Sequence, residues 1–380
     1  MIKASEKKIE TICQFSKLKE KLLDLEEINI DILIKEGFHN VMLPKEIGGL
    51  DLNIIDMSKL LVDISSTCHY SGLILSMHYY TIGSLKSLSS NSLDQYLNDV
   101  YKEGALFGSI SDPKVQPFYN REQVKEAIGI TYTKSNGEIK INGTKKYVSG
   151  AKSIRYLPIY AYNEELNSRF PISVFIVDMQ KQGVHIIEDN WISNSMAQTD
   201  TFDIYFENVE VNESLFQEGK GIEITDNLVY WFRIALSSVY LGVCEAAYKH
   251  ITQLVKLNKK LLTDASIQNK IVDIKIKLET AKSQLIRSSQ IVNDGLQTNN
   301  ISIEVKNSTL ITKFIIADTV NNILDECMKI KGISSLNKGD FLERLSRDSK
   351  AAYFHPPQEY KVKEDLAINE LGIIKFKRNL

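Results

Sequence analysis

No proline occurs between Pro171 and Pro356, and inside that interval Ile267, Ile271, Ile274, Leu278, Ala281 and Leu285 follow one another at spacings of three and four. Such spacing draws one apolar stripe down a helix, and nothing there imposes the break that a proline ring would. Long striped helices bury their stripes against one another as bundles. The last third of the chain is therefore expected to be a helical bundle.

The rest of the chain has two other textures. "KLKEKLLDLEEINIDILIKEGF" and "IIDMSKLLVDISS" keep the helical period, separated by Pro44 and the pair Gly48-Gly49, so the first hundred residues read as helices. From about residue 105 the pattern alternates. "GITYTKSNGEIKINGTKKYVSG" carries Asn136-Gly137 and Asn142-Gly143, dipeptides of the kind that closes hairpins. "PISVFIVDM" and "TFDIYFENVEV" continue as strands, the second with Phe202, Ile204 and Phe206 on one face. Helices, then strands, then long helices make an α+β arrangement rather than an alternating βαβ one.

With 43% hydrophobic and 25% charged residues in a chain of 380, there is enough apolar material for a sizeable core and two or three domains. A formal net charge of -2 leaves no field for a nucleic-acid backbone. Cys13, Cys68, Cys244 and Cys327 show neither paired nor metal-ligand spacing, so they are expected to be reduced thiols of a cytoplasmic protein with no metal site. The charged N-terminus lacks an apolar signal core, and no run is expected to span a bilayer.

Several stretches, taken in order, resemble the acyl-CoA dehydrogenase superfamily. "LPKEIGGLD" is similar to its Pro-acid-Gly-Gly turn, "SISDP" to its Thr-Glu-Pro segment, "IKINGTKKYVSG" to its Asn-Gly-x-Lys-x-Trp-Ile-Thr hairpin and "FENVEV" to its Asn-Val-x-Val strand exit. "FRIALSSVYLGVCEAAYKHI" and "FLERLSRDSKA" look like its arginine-bearing and Arg-Asp-Ala helices. The resemblance implies an N-terminal helical domain over 1–104, a middle β-barrel domain over 105–218 and a C-terminal four-helix bundle over 219–380. It also implies a homo-oligomer, tetramer or dimer, that binds a flavin. Ser111 stands at the Thr of Thr-Glu-Pro, Tyr147 at the Trp beside the flavin ring and Ser149 at the Thr on the ring's edge; these keep hydroxyl donors and a flat aromatic wall. The plainer readings are a turn serine before Pro113 and an ordinary strand aromatic.

The departures from the family pattern are as informative. Its proton-abstracting glutamate has two known stations; one reads Tyr353-Phe354-His355-Pro356-Pro357 here and the other has Phe232 before Arg233. A base must reach the proton it takes, and phenylalanine has nothing to take it with. The stretches that hold the adenylate half of FAD are replaced by "KVQPFYN", "LNKKLLTD" and "MKIKGISS", which favours FMN, with FAD as the alternative. "HPPQEYK" instead resembles the His-x-Pro-x-x-Tyr-Lys segment of the flavin-dependent monooxygenases that share the fold. That likeness implies reduced flavin from a partner reductase, O2, a small-molecule substrate and His355 as catalytic residue, because an imidazole exchanges protons near neutrality. His78 and Arg233 are placed on the substrate side of the same pocket. Plainer readings make His355 a helix-end packing residue and His78 part of a buried helix face with Leu75, Met77 and Tyr79. Two alternatives remain: an acyl-CoA or acyl-carrier dehydrogenase whose base has moved to Glu359 or Asp348, and a non-catalytic flavin- or acyl-binding scaffold.

Overall fold

The computed structural model describes residues 2–25, 28–86, 93–112, 121–189 and 192–373. The N-terminal part holds α1 (Ile2–Asp24), α2 (Ile30–Lys35), α3 (Ile54–Ser65), α4 (His69–Lys86) and α5 (Asp94–Glu103). Asn29 starts α2 by accepting the Ile32 N–H at 3.0 Å, a side-chain cap that opens a new helix instead of continuing α1. Between α2 and α3 the Pro44 and glycine break is real. Gly49 packs so closely that a Cβ there would fall 2.1 Å from the Leu43 carbonyl oxygen.

After the short α6 (Arg121–Ala127) come β1 (Ile130–Ser135), β2 (Glu138–Val148), β3 (Tyr156–Tyr162), β4 (Ile172–Asp178), β5 (Val184–Ile187) and β6 (Phe202–Val211). They form one sheet in the order β4-β3-β1-β2-β6-β5, and β4 curls back into contact with β6. All neighbours are antiparallel except β1 and β3. Of the two Asn-Gly pairs, Asn136-Gly137 does turn the β1–β2 hairpin, with φ of 52° and 85°, the left-handed pair that a type I′ turn requires. Asn142-Gly143 makes no turn. It lies inside β2, where the Asn142 side chain accepts the Asn208 N–H at 2.9 Å and a bulge against β6 takes up the glycine.

The C-terminal part is built on α7 (Thr225–Leu257), α8 (Lys259–Leu262), α9 (Ala265–Gln297) and α10 (Ile303–Lys331), and α11 (Phe341–Ser349), α12 (Ala351–Phe354) and α13 (Glu359–Leu371) complete it. In the α9 stripe Ile274, Leu278, Ala281 and Leu285 are buried, and Ile267 and Ile271 pack partly buried on the core. Contrary to expectation, one helix, Gly221–Leu257, is long and apolar enough to cross a membrane, with a mean hydropathy of 1.2. Its apolar window is 83% buried inside the fold, packed against α3, α4, α9 and α10 as a core helix is.

Helix α4 occupies the centre. Every residue from Ser71 to Leu85 is buried, as befits a helix that is apolar on all sides. Gly72 admits α3 so closely that a Cβ would sit 2.0 Å from Ser65 Oγ. At its start, His69 Nε2 donates to Asp348 Oδ2 at 2.9 Å and the Tyr70 hydroxyl donates to the same oxygen at 2.6 Å, while the Met196 N–H reaches Asp348 Oδ1 at 2.7 Å. The carboxylate is 1% exposed. Burial would raise its pKa, but donation from His69, Tyr70 and Met196 outweighs burial and holds it below the ordinary value. One side chain thus joins α4, the segment before β6 and α11.

Further along α4, His78 Nδ1 accepts the Phe107 N–H at 2.8 Å and Nε2 faces the His39 carbonyl at 2.9 Å. The ring is therefore neutral with its proton on Nε2. Burial pushes its pKa down to about 3, against the opposing His39 carbonyl bond.

Two outcomes are expected. Asp348→Ala strands three buried donors and should cost about 3–5 kcal/mol in denaturant unfolding; a loss below ~1 kcal/mol would show that the carboxylate does not join the regions. As pH falls below 6.5 the unfolded chain protonates His78 while the folded chain resists until about 3, so stability is fully present above pH 6.5 and drains away toward pH 3, by at most about 1.4 kcal/mol per unit for this group. Equal stability at pH 7 and pH 5 would contradict a neutral, buried His78.

Candidate functional site

The sheet brings Ser111, Tyr147 and Ser149 to one end of β2. The Ser111 N–H bonds the Tyr80 hydroxyl at 2.9 Å, and its carbonyl accepts from the buried Lys145 Nζ at 3.2 Å. Lys145 is itself two residues before Tyr147, so the 109–112 segment and the β2 end are pinned together. Burial lowers the Lys145 pKa, with Asp112 opposing.

Tyr147 has φ +58°, a left-handed backbone that a bulky residue adopts only where the surroundings force it. The cause is visible. Pairing with β6 slips between Lys145 and Val148, and the bulge turns the Tyr147 side chain outward, leaving the residue 56% exposed. Its N–H is held by Asp203 Oδ1 at 3.1 Å.

Ser149 heads a hydroxyl relay. Its Oγ lies 2.9 Å from Thr201 Oγ1, which lies 2.9 Å from Thr199 Oγ1, and Thr199 donates to the Met196 carbonyl at 2.7 Å. Because Thr199 spends its proton on a carbonyl, Thr201 donates to Thr199 and Ser149 donates to Thr201. The sequence casts Ser149 as a donor to a ring; the relay leaves it an acceptor. An outward aromatic face beside a hydroxyl lone pair fits a flat heterocycle with an N–H on its edge, such as a flavin ring.

Helices α7, α10 and the α12–α13 junction build the second half. Tyr80, which holds Ser111, packs edge-on against Phe232 of α7 with ring centroids 5.2 Å apart. The next residue, Arg233, donates from Nη1 to Thr309 Oγ1 of α10 at 3.2 Å. One helical turn beyond Thr309 is Lys313, whose charge acts on both Arg233 and His355. Further along α7, the Ser237 and Tyr240 hydroxyls are buried without a hydrogen-bond partner among the described residues. The His355 ring rests against Tyr240, centroids 5.9 Å apart. Burial, with Lys313 adding to it, pushes the His355 pKa down to about 4, so the ring is uncharged at neutral pH. Among the described residues neither of its ring nitrogens has a hydrogen-bond partner.

Lys313 thus acts on both Arg233 and His355, and Tyr80 joins Ser111 to Phe232, the residue before Arg233. His78 stands apart. Both of its nitrogens are bound to backbone groups, which leaves none for a substrate and makes it a staple between α4, residue 39 and residue 107. Asp348 is likewise occupied by its three donors, and Glu359 is ion-paired with Lys363 at 2.5 Å. Lys259 and Lys260 lie on α8, exposed, and the stretch 114–120 falls outside the described residues. Among the described residues no cluster of His, Cys, Asp or Glu could hold a metal ion.

Sequence reasoning missed Lys313 and the depth of Asp348. The available signal for the first was a lone lysine within the apolar run "TLITKFIIA". For the second it was the pair His69-Tyr70 at the start of an otherwise apolar helix.

Residues 125–209 match the acyl-CoA dehydrogenase middle-domain family and residues 219–355 the acyl-CoA dehydrogenase C-terminal-domain family. An acyl-CoA dehydrogenase of Bacillus subtilis is 23% identical over 343 residues, 87% of this chain and 86% of its own. Dibenzothiophene monooxygenase TdsC from Paenibacillus sp. A11-2 superposes with a TM-score of 0.78 at 18% identity, over 99% of this chain and 98% of its own. KijD3 in complex with FMN and a dTDP-aminosugar superposes with a TM-score of 0.79 at 19% identity, over 91% of this chain and 86% of its own. With both domains matched in order and the fold shared throughout, the chain belongs to the acyl-CoA dehydrogenase family.

Proposed function

We propose that this protein is a flavin-dependent monooxygenase that brings reduced flavin and O2 to a small-molecule substrate. One observation carries the reading: at the station of the family's base glutamate, His355 presents an uncharged ring whose nitrogens have no partner among the described residues. The two carboxylates that could have replaced the glutamate are engaged, Asp348 by three donors and Glu359 by Lys363.

Reduced flavin supplies the electrons that activate O2. The protein's own part is to offer the Tyr147 ring as an aromatic wall, to offer Ser149 as acceptor, and to place His355 where it exchanges a proton with the reacting group. A reduced flavin carries an additional ring N–H, which suits the acceptor that the relay makes of Ser149. FMN is favoured, in keeping with the FMN named in the KijD3 complex and in a TdsC structure, and a flavin reductase is the partner that this chemistry requires. The protein is expected to work as a tetramer or dimer of bundles.

Ser149→Ala and Tyr147→Ala should each weaken reduced-FMN binding, by about 0.5–1.5 kcal/mol for the lost hydroxyl bond and a similar amount for the aromatic wall. Unchanged affinity in both, by fluorescence titration, would place the ring elsewhere. His355→Ala should retain flavin binding yet cut coupled product on the order of a hundredfold, with oxygen still consumed and released as hydrogen peroxide. Anaerobic bleaching of bound flavin by an acyl thioester alone would sink the monooxygenase reading in favour of a dehydrogenase.

A further inference from the structure

Lys313 is 5% exposed, and neither it nor Arg233 forms an ion pair among the described residues. The two share one place: Arg233 is bonded to Thr309, and Lys313 follows Thr309 by four residues on the same face of α10. Glu359 acts on Lys313 and Asp365 on Arg233, but each carboxylate is shared with a surface partner. Glu359 pairs with Lys363 at 2.5 Å, Asp365 with Lys361 at 2.9 Å, and Asp318 accepts from Asn322 at 2.7 Å. Two like charges with little water around them repel and are costly to keep.

The surroundings are prepared for a guest. Lys313 lines a cavity of about 60 Å³ with Phe314, Ala317, Asp318, Tyr353, Glu359 and Val362. Ser237 and Tyr240 follow Arg233 at four and seven residues, on its face of α7, with buried hydroxyls that have no partner among the described residues. A buried hydroxyl left unpaired costs free energy that a ligand oxygen would recover. His355 closes the row against Tyr240.

Building on the monooxygenase reading, we propose that Arg233 and Lys313 seat the negative group of the substrate, a carboxylate or a phosphate ester, beside His355. The guanidinium offers a planar fork to two oxygens and the ammonium a point charge. Burial pushes the Lys313 pKa down to about 8, with Glu359 opposing and Arg233 adding to the fall.

The test uses the full-length chain, with sodium butyrate and inorganic phosphate as probes and sodium chloride of equal ionic strength as control. Calorimetric titration and thermal midpoint should both report binding of at least one probe beyond chloride. Lys313→Met and Arg233→Met should each weaken it at least tenfold, and Lys313→Met without anion should be at least as stable as the parent chain. Butyrate binding identifies a carboxylate, phosphate binding a phosphate ester. Equal responses in the parent and both variants, or none in the parent, would overturn the subsite. Reduced FMN is titrated into the same samples: flavin bound without an anion response removes the subsite alone, and an anion response without flavin removes the reading on which it rests.

Discussion

The architecture rests on one buried carboxylate. Asp348 takes hydrogen bonds from two side chains of α4 and from the backbone just before β6, so a single residue of α11 fixes both other regions relative to the bundle. An ionised carboxylate with so little exposure is tolerated only because its oxygens are satisfied. It stands seven residues before His355 in the chain, and α12 between them is a single turn. The geometry that docks the domains therefore also aims the candidate catalytic imidazole.

Much of the fold was legible because it depends on period and punctuation. The α9 stripe, the proline-free interval and the strands around Ile204 and Phe206 follow from residues near one another in sequence. The two Asn-Gly pairs show where such reasoning stops: the same dipeptide turns the chain at Asn136 and sits within a strand at Asn142, because Asn208, 66 residues away, takes the second side chain. The site was half legible. Ser111, Tyr147, Ser149, Arg233 and His355 were picked out through resemblance, and their roles are what the proposed function asks of them. His78 was misplaced because its two partners are backbone atoms, which leave no mark in a side-chain pattern. Lys313 was invisible for a related reason, since a lysine on a helix ordinarily reaches water and only the packing of α13 over α10 prevents it.

Membership in a family named for dehydrogenation does not fix the reaction, since function resides in the site rather than the fold. Here the site differs from the family pattern by charge: a fixed carboxylate is exchanged for a ring that burial and a neighbouring ammonium keep neutral. Neutral groups can share an apolar pocket with oxygen and an uncharged heterocycle at less cost than an unpaired anion would incur. Lys313 is the cation that acts on that ring.

Helix α4 carries a kinetic consequence. It is enclosed by α3, α7 and the strand-side segment at Phe107, so its amides meet solvent only when all of these part together, in one cooperative event close to global unfolding. Among the described residues this helix is therefore the last part expected to open. The strap over 192–201 lies at the other extreme: it reaches the core through the Met196 bond to Asp348 and through the Thr199 and Asp200 carbonyls, so it can loosen while the middle stays closed.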